Sequence, residues 1–346
     1  MITFFNHLHA AHQGRMEMFR GRLVPCYEVP NRADYVLQEL QVRPLGAVQQ
    51  PAQWADSHIE RIHEKPYLDF LCTAWDRWLA LDSANAEVDI LPSVWPGPTL
   101  RRDVQPQNFS AQVGLYCFDA GTPLTAGTWQ AARAGADCAL SAAQAVLDGE
   151  KLSFALSRPP GHHAGANFYG GYCFLNNAAI AAEHLRQGGA EKVAVLDIDY
   201  HHGNGTQACF YDRSDVFFAS VHGDPVTEYP FYLGYADETG VAAGVGANLN
   251  IPLPRGTDYA RWAQALDAAL DAITRYGVQA LVLSLGMDTF EGDPISGFKL
   301  RSDDYFQVGA RLARLALPVV VIFEGGYAVR EVGINAVNLL HGLAKA

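Results

Sequence analysis

Several features that would settle a function quickly are missing from these 346 residues. The six cysteines, Cys26, Cys72, Cys117, Cys138, Cys173 and Cys209, are scattered and form no C-x-x-C pair. That spacing suggests neither a disulfide framework nor a cysteine zinc knuckle, and a reducing cytoplasm is the expected home. No apolar run reaches membrane-spanning length, and the N-terminal "MITFFNHLHAAHQGR" is broken by Asn and His where a signal peptide needs continuous apolar residues. "GVGANL" at Gly244 is too short for a dinucleotide fingerprint, and a Walker lysine motif is lacking. Internal repeats, low-complexity tracts and clear linkers are absent too. Positive charge is scarce: 25 Lys and Arg stand against 37 Asp and Glu, a formal charge of −12. Binding to nucleic acid through its phosphates is therefore disfavoured, and approach of a cationic ligand is mildly favoured.

What is present begins with 49 % apolar residues, enough for a large core in one α/β domain spanning residues 1–346. From about residue 128, short aliphatic runs alternate with helical periods. Strands are expected at Leu152–Ser157, Lys192–Ile198, Val216–Val221, Ala280–Leu285 and Pro318–Phe323. Helices are expected from a Thr128 cap to Leu147 and over Phe174–Arg186, with further starts at Thr257-Asp258 and at Ser302-Asp303-Asp304. This alternation predicts a parallel sheet covered by helices on both faces, with its chemistry at the carboxyl ends of the strands. The part before residue 125 is less regular. Asp89 to Phe109 holds four prolines and Trp95, and reads as a long irregular insertion.

Four of the strand ends carry reactive side chains. "LDIDYHHGNGTQ", Leu196 to Gln207, puts Asp197, Asp199 and His201 on one side and Ile198 and Tyr200 on the other, if strand alternation persists. A lone Asp or His there would be an ordinary turn residue. Two buried carboxylates side by side repel unless a cation or a proton lies between them, so the pair points to a metal. "GNGT" is expected to make a tight turn. "ALVLSLGMD" brings Asp288 to the next end, completing an O, N, O set with open positions that suits a hydrolytic metal centre. Zinc is the first expectation, and iron(II) or manganese would also fit. "RPPGHHAG" ends in His162 and His163, suited to proton transfer, one ring taking a proton while its neighbour supplies charge or orientation. In "FEGGYAV", two glycines let Tyr327 turn inward, where its hydroxyl can donate to a carbonyl oxygen as charge grows on it.

Together these motifs resemble the histone deacetylase superfamily, most closely its bacterial acetylpolyamine amidohydrolase branch. The resemblance runs from "GRLVPCYEVPNRADYVL" through "PPGHHAGANFYGGYCFLNNAA", "LDIDYHHGNGTQ", "FFASVHGDP" and "SLGMDTFEGDPISGFKL" to "EGGYAVREVG", nearly the whole chain. It implies an arginase/deacetylase-type fold and zinc-dependent cleavage of an acetamide to acetate and a free amine. It implies Asp199, His201 and Asp288 as metal ligands, His162, His163 and Tyr327 as catalytic groups, and Asp197 and Asn204 as partners of the histidines. His163 would move the proton and His162, steered by Asp197, would tune charge, or the reverse, since adjacent titrations couple. A structural potassium ion would lie at Asp197, Asp199, His201, Ser220 and Val221. Gly171, Tyr172, Tyr229 and Ile295 would line a narrow substrate tunnel, and the Pro-rich insertion would help form a homodimer and narrow the entrance. The chain departs from the branch near Gly121, where an acidic residue tied to polyamine recognition is replaced and Asp119 is the nearest carboxylate. Phe19 stands where a tyrosine can occur. Acetylpolyamines and acetyldiamines such as acetylputrescine or acetylcadaverine are the expected substrates, with acetyllysine side chains as the alternative. An arginase-like ureohydrolase would need a two-metal set with an additional D-x-H-x-D arrangement. A non-catalytic binder of acetylated amines would release no acetate.

Overall fold

The computed structural model describes residues 1–101 and 103–345, so Arg102 in the Pro-rich segment and Ala346 lie outside the described residues. Ten strands are present among them: β1 (Ile2–Phe5), β2 (Met16–Phe19), β3 (Arg22–Pro25), β4 (Ala47–Gln49), β5 (Leu152–Leu156), β6 (Val193–Asp197), β7 (Val216–Gly223), β8 (Asn248–Leu253), β9 (Ala280–Leu285) and β10 (Val319–Phe323). Eight form one sheet in the order β4-β1-β5-β10-β9-β6-β7-β8, every neighbouring pair parallel. The antiparallel β2–β3 hairpin stands apart.

Alternation along the strands divides the core in two. Val193 and Val195 of β6, Val282 of β9 and Val320 of β10 pack into one cluster, while Ala194, Leu196, Leu281, Leu283 and Val321 pack into the other. Both faces are therefore buried, which is why these strands read as unbroken aliphatic runs and why water is excluded up to their ends. The helices Thr128–Leu147 and Asn177–Gln187 serve the first cluster, and Tyr259–Tyr276 and Val329–Lys345 the second.

The five expected strands all occur, and three others beyond those expected enter the sheet. β1 and β4 are only four and three residues long, and β8, "NLNIPL", mixes asparagine and proline into an edge position where a lost ladder donor is tolerated. Helix starts differ in detail. Thr128 is not a cap: Gly127 is, and the Thr128 hydroxyl accepts from Thr125 N at 2.7 Å. The next helix begins at Asn177, capped by Asn176, because Phe174 is drawn into the core. Asp258 caps its helix through Arg261 N, as its sequence position implies, whereas Asp303 makes no side-chain cap bond. Between Asp89 and Asn108 there is no helix or strand among the described residues. Trp95, which looks unpaired in the sequence, donates its indole N–H to Cys117 O at 2.8 Å.

Candidate active site

Five adjacent strands, β5, β10, β9, β6 and β7, point their carboxyl ends at one place. The ladder of β6 stops at Asp197, so Asp199 and His201 lie beyond the strand. Ile198 and Tyr200 nevertheless join the same core cluster as Ala194 and Leu196. The alternation thus persists through the bend and keeps Asp199 and His201 on the opposite side. "GNGT" is not the expected tight turn. Gly203 leads into a helix over Asn204–Phe210, and a Cβ on it would come within 2.1 Å of Asp197 Oδ2. The need is for space, not for an unusual backbone angle.

Asp199, His201 and Asp288 each offer a ligand atom within 4.8 Å of the others, the one such cluster of three among the described residues. His201 Nδ1 faces both carboxylates, 3.0 Å from Asp288 Oδ2 and 3.4 Å from Asp199 Oδ1. Burial, then the charge of Asp199, pushes Asp288 up to about 8. Two carboxylates with no exposed surface, one of them reluctant to ionise beside the other, are the donor chemistry that a divalent cation relieves. Bare backbone closes the site from behind: a Cβ on Gly286 would meet Asp199 Oδ2 at 2.1 Å and one on Gly325 would meet it at 2.5 Å, and Gly325 N donates to that oxygen at 2.9 Å.

The tandem histidines differ sharply in surroundings. His162 Nδ1 donates to Asp197 Oδ2 at 2.9 Å, and Asp197 Oδ1 accepts from Asp199 N at 3.0 Å. The largest influence on His162 is burial, which opposes charge, but Asp199 and Asp197 outweigh it and push the ring up to about 10. His163 Nδ1 donates to Asn204 Oδ1 at 2.6 Å, which leaves Nε2 as the acceptor nitrogen. Burial, then the charges of His162 and His201, hold His163 well below the usual imidazole range. The two rings, 4.0 Å apart between centroids, are thus pushed in opposite directions.

Tyr327 follows Gly326, whose φ of +118° is one an L side chain rarely adopts. The Tyr327 ring lies 4.8 Å from the Arg32 guanidinium and 5.5 Å from the Tyr172 ring. Burial, partly offset by Arg32, holds its hydroxyl well above the ordinary range, so it remains a donor. Tyr229 sets its ring edge-to-face on His163 at 5.1 Å and stacks on Phe118 at 6.1 Å. Gly171 sits so close to His163 that a Cβ would meet its Cδ2 at 2.2 Å. Ile295 is buried, its N–H bound to Asp293 Oδ1 at 3.0 Å, and Asp293 Oδ2 accepts from Tyr327 N at 2.7 Å. Ser220 is paired in register with Asp197, with Val221 next along β7. Phe19 packs on Tyr27.

Several residues here carry no motif. Glu324 receives Gly161 N at 2.6 Å and His162 N at 3.2 Å, so it holds the histidine loop from below. A glutamate directly after five apolar strand residues was the signal available. Arg32 donates to Gly326 O and Glu324 O, and Glu28 joins Arg32 to Arg158, all fully buried. Asp119 is engaged within the protein: Oδ1 accepts from Gly121 N and Thr122 Oγ1, and Oδ2 from Gly171 N and Tyr229 OH. Those four bonds fill its acceptor sites and make it a brace for Gly171 and Tyr229. Tyr172 OH donates to Glu17 Oε1 at 2.8 Å.

Residues 26–343 match the histone deacetylase domain family. An acetylpolyamine amidohydrolase 2 from Pseudomonas aeruginosa is 50 % identical over 342 residues, covering 99 % of this chain and 98 % of that one. An acetylpolyamine amidohydrolase from Mycoplana ramosa is 45 % identical over 345 residues, 99 % of this chain and 100 % of that one. The crystal structure of an acetylpolyamine aminohydrolase from Burkholderia pseudomallei superposes with a TM-score of 0.95 at 37 % identity, covering 100 % of this chain and 99 % of that one.

Proposed function

The chain belongs to the histone deacetylase family, and from that premise we propose that it is an amidohydrolase that removes acetyl groups from acetylated polyamines or diamines, releasing acetate and the free amine. The observation that carries this reading is the convergence, on adjacent strand ends, of an Asp199–His201–Asp288 cluster, a His163 held well below the usual imidazole range and the Tyr327 ring. The donor set fits a divalent ion: zinc is the first choice, iron(II) and manganese suit the same oxygens and nitrogen, and the ion when bound would polarise the acetamide carbonyl and acidify water. His163 Nε2 takes the proton of the attacking water and later gives it to the departing amine. His162, charged and held by Asp197, steadies the negative charge that grows nearby. The Tyr327 hydroxyl donates to the carbonyl oxygen, with Arg32 fixing its ring from behind. Asp197, Asp199, His201, Ser220 and Val221 are proposed to hold a potassium ion behind the reacting centre. A ureohydrolase would require a second metal cluster, and the described residues form one.

Substrate follows from the walls. Gly171, Tyr172, Tyr229 and Ile295 are proposed to line a channel for a slender methylene chain, and the net charge of −12 favours a distal ammonium. The named relatives support the class. Because Asp119 is saturated by its own protein, and Gly121 has no side chain, short acetyldiamines are the better fit than long acetylpolyamines. We also propose a cytoplasmic homodimer. Six free cysteines and the absence, among the described residues, of a helix able to cross a membrane support the first part. The exposed Val94, Leu100 and Val104 of the insertion support the second. Acetate release from acetylcadaverine, acetylspermine and an acetyllysine peptide, measured side by side, tests the substrate: the acetyldiamine should have the highest kcat/KM, and clear preference for the peptide would overturn the choice.

A further inference from the structure

Three loops leave the carboxyl ends of β7, β8 and β9, of which β7 and β8 are adjacent and β9 is separated from β7 by β6. The loop after β7 carries Tyr229, the loop after β8 carries Arg255, and the loop after β9 carries Ile295. We propose that Arg255 is a positioning residue that clamps the Tyr229 and Ile295 walls at a fixed separation and so sets selectivity for slender acetylated amines, an inference that rests on the amidohydrolase reading above.

Arg255 reaches both walls at once. Its Nη1 donates to both oxygens of Glu228, at 3.1 Å each, and its Nη2 donates to Ser296 O at 3.0 Å. Glu228 immediately precedes Tyr229, and Ser296 immediately follows Ile295. Neither anchor is free to drift. Glu228 is buried, pressed where a Cβ on Gly223 would come within 3.0 Å of its Cγ and 2.9 Å of Tyr200 Cζ. Ser296 Oγ donates to the carbonyl of Asp288. The arginine is held as closely: a Cβ on Gly297 would lie 2.5 Å from Arg255 Cγ and 2.9 Å from Nε, and Gly256 N donates to Gly297 O at 2.8 Å.

An ion pair whose arginine is half exposed adds little stability by itself. Its value is geometric, because a planar guanidinium presents donors in two fixed directions, and a lysine ammonium cannot pair with Glu228 and span to Ser296 in the same way. The consequence reaches the chemistry at each end. Tyr229 rests edge-to-face on His163, and Ile295 shares Asp293 with the backbone of Tyr327. Loss of the clamp should therefore loosen substrate alignment while the reacting groups, each held by its own partners, stay in place.

The test compares wild type, Arg255→Ala and Arg255→Lys in acetate release from acetylcadaverine and from an acetyllysine peptide, with amide hydrogen exchange of residues 224–235 and 293–299. Arg255→Ala should raise KM for acetylcadaverine by about 3- to 30-fold with kcat within about threefold, narrow the ratio of kcat/KM between the two substrates, and speed exchange in both loops together. Arg255→Lys should keep the narrowed ratio although it restores a cation beside Glu228. An unchanged KM and ratio in Arg255→Ala overturns the clamp, as does a ratio fully restored by lysine, which would assign the effect to the charge on Glu228. Should the alanine variant not fold, the lysine variant decides alone, a wild-type ratio overturning the clamp. If wild type releases no acetate from either substrate, the amidohydrolase reading fails. The clamp is then judged by exchange, and unchanged protection in either loop overturns it.

Discussion

Tyr327 shows how one residue's role is shared between chain neighbours and distant ones. Gly325 and Gly326 give the turn its room, while Arg32, far away in sequence, supports the ring at 4.8 Å and bonds the carbonyl of Gly326. Tyr327→Phe keeps the ring, the packing and the backbone but removes the donor. It should lower kcat by about two to three orders of magnitude, the usual loss for one oxyanion donor, with metal content by elemental analysis unchanged. A near-normal kcat would remove Tyr327 from the mechanism. The glycine half of this arrangement is legible because it is contiguous with the tyrosine. The arginine half is not: one basic residue in a helix start looks like any surface charge until the fold buries it. The same holds for Glu28 and Arg158, whose pairing spans much of the chain.

At the scale of elements, strand ends were readable where aliphatic runs stop at chemistry, and edge strands were not. β6 and β9 announce themselves by composition, whereas β8 is an edge whose Asn248 and Asn250 serve polar contacts to Glu238 and Gln207 that only the fold creates. The β2–β3 hairpin is a similar case. It carries Glu17 to Tyr172, so that a buried carboxyl braces the Tyr172 ring. Burial, the largest influence, pushes Glu17 up to about 7, partly offset by its bonds to Tyr172 and Tyr27. The folded state therefore binds this proton more tightly than the unfolded chain does. The associated stability is full below about pH 4.5 and is lost as pH rises through about 7, where the charged form must be buried. Glu17→Gln retains a carbonyl to accept from Tyr172 and cannot ionise. Its stability relative to wild type should rise between pH 5 and pH 8, by up to ~3 kcal/mol, read from denaturant midpoints at the two pH values. A difference independent of pH would show that Glu17 is ordinarily acidic.

For the whole molecule, the parallel sheet places five strand ends side by side, which is how motifs more than 150 residues apart, such as His162 and Tyr327, meet in one site. The Pro-rich insertion belongs to this scale too. It lies across a cavity of about 670 Å³ lined in part by Trp95, Tyr116, Phe118 and Phe168, and Phe118 stacks directly on Tyr229. Apolar side chains exposed on the insertion are suited to a second copy, so the full chain should sediment as a dimer at micromolar concentration, and Leu100→Arg should shift it toward monomer. A wild-type chain that remains monomeric contradicts this assignment.

The central claim is that acetate release depends on an ion held by Asp199, His201 and Asp288. It is tested most directly by following acetate release from acetylcadaverine and bound metal together while a chelator is added and zinc is then restored. The account predicts loss of activity in step with loss of about one ion per chain, recovery on adding zinc, and neither binding nor recovery in Asp199→Ala, because that variant removes one of the three side chains proposed to hold the ion. Full acetate release from protein stripped of metal would contradict it.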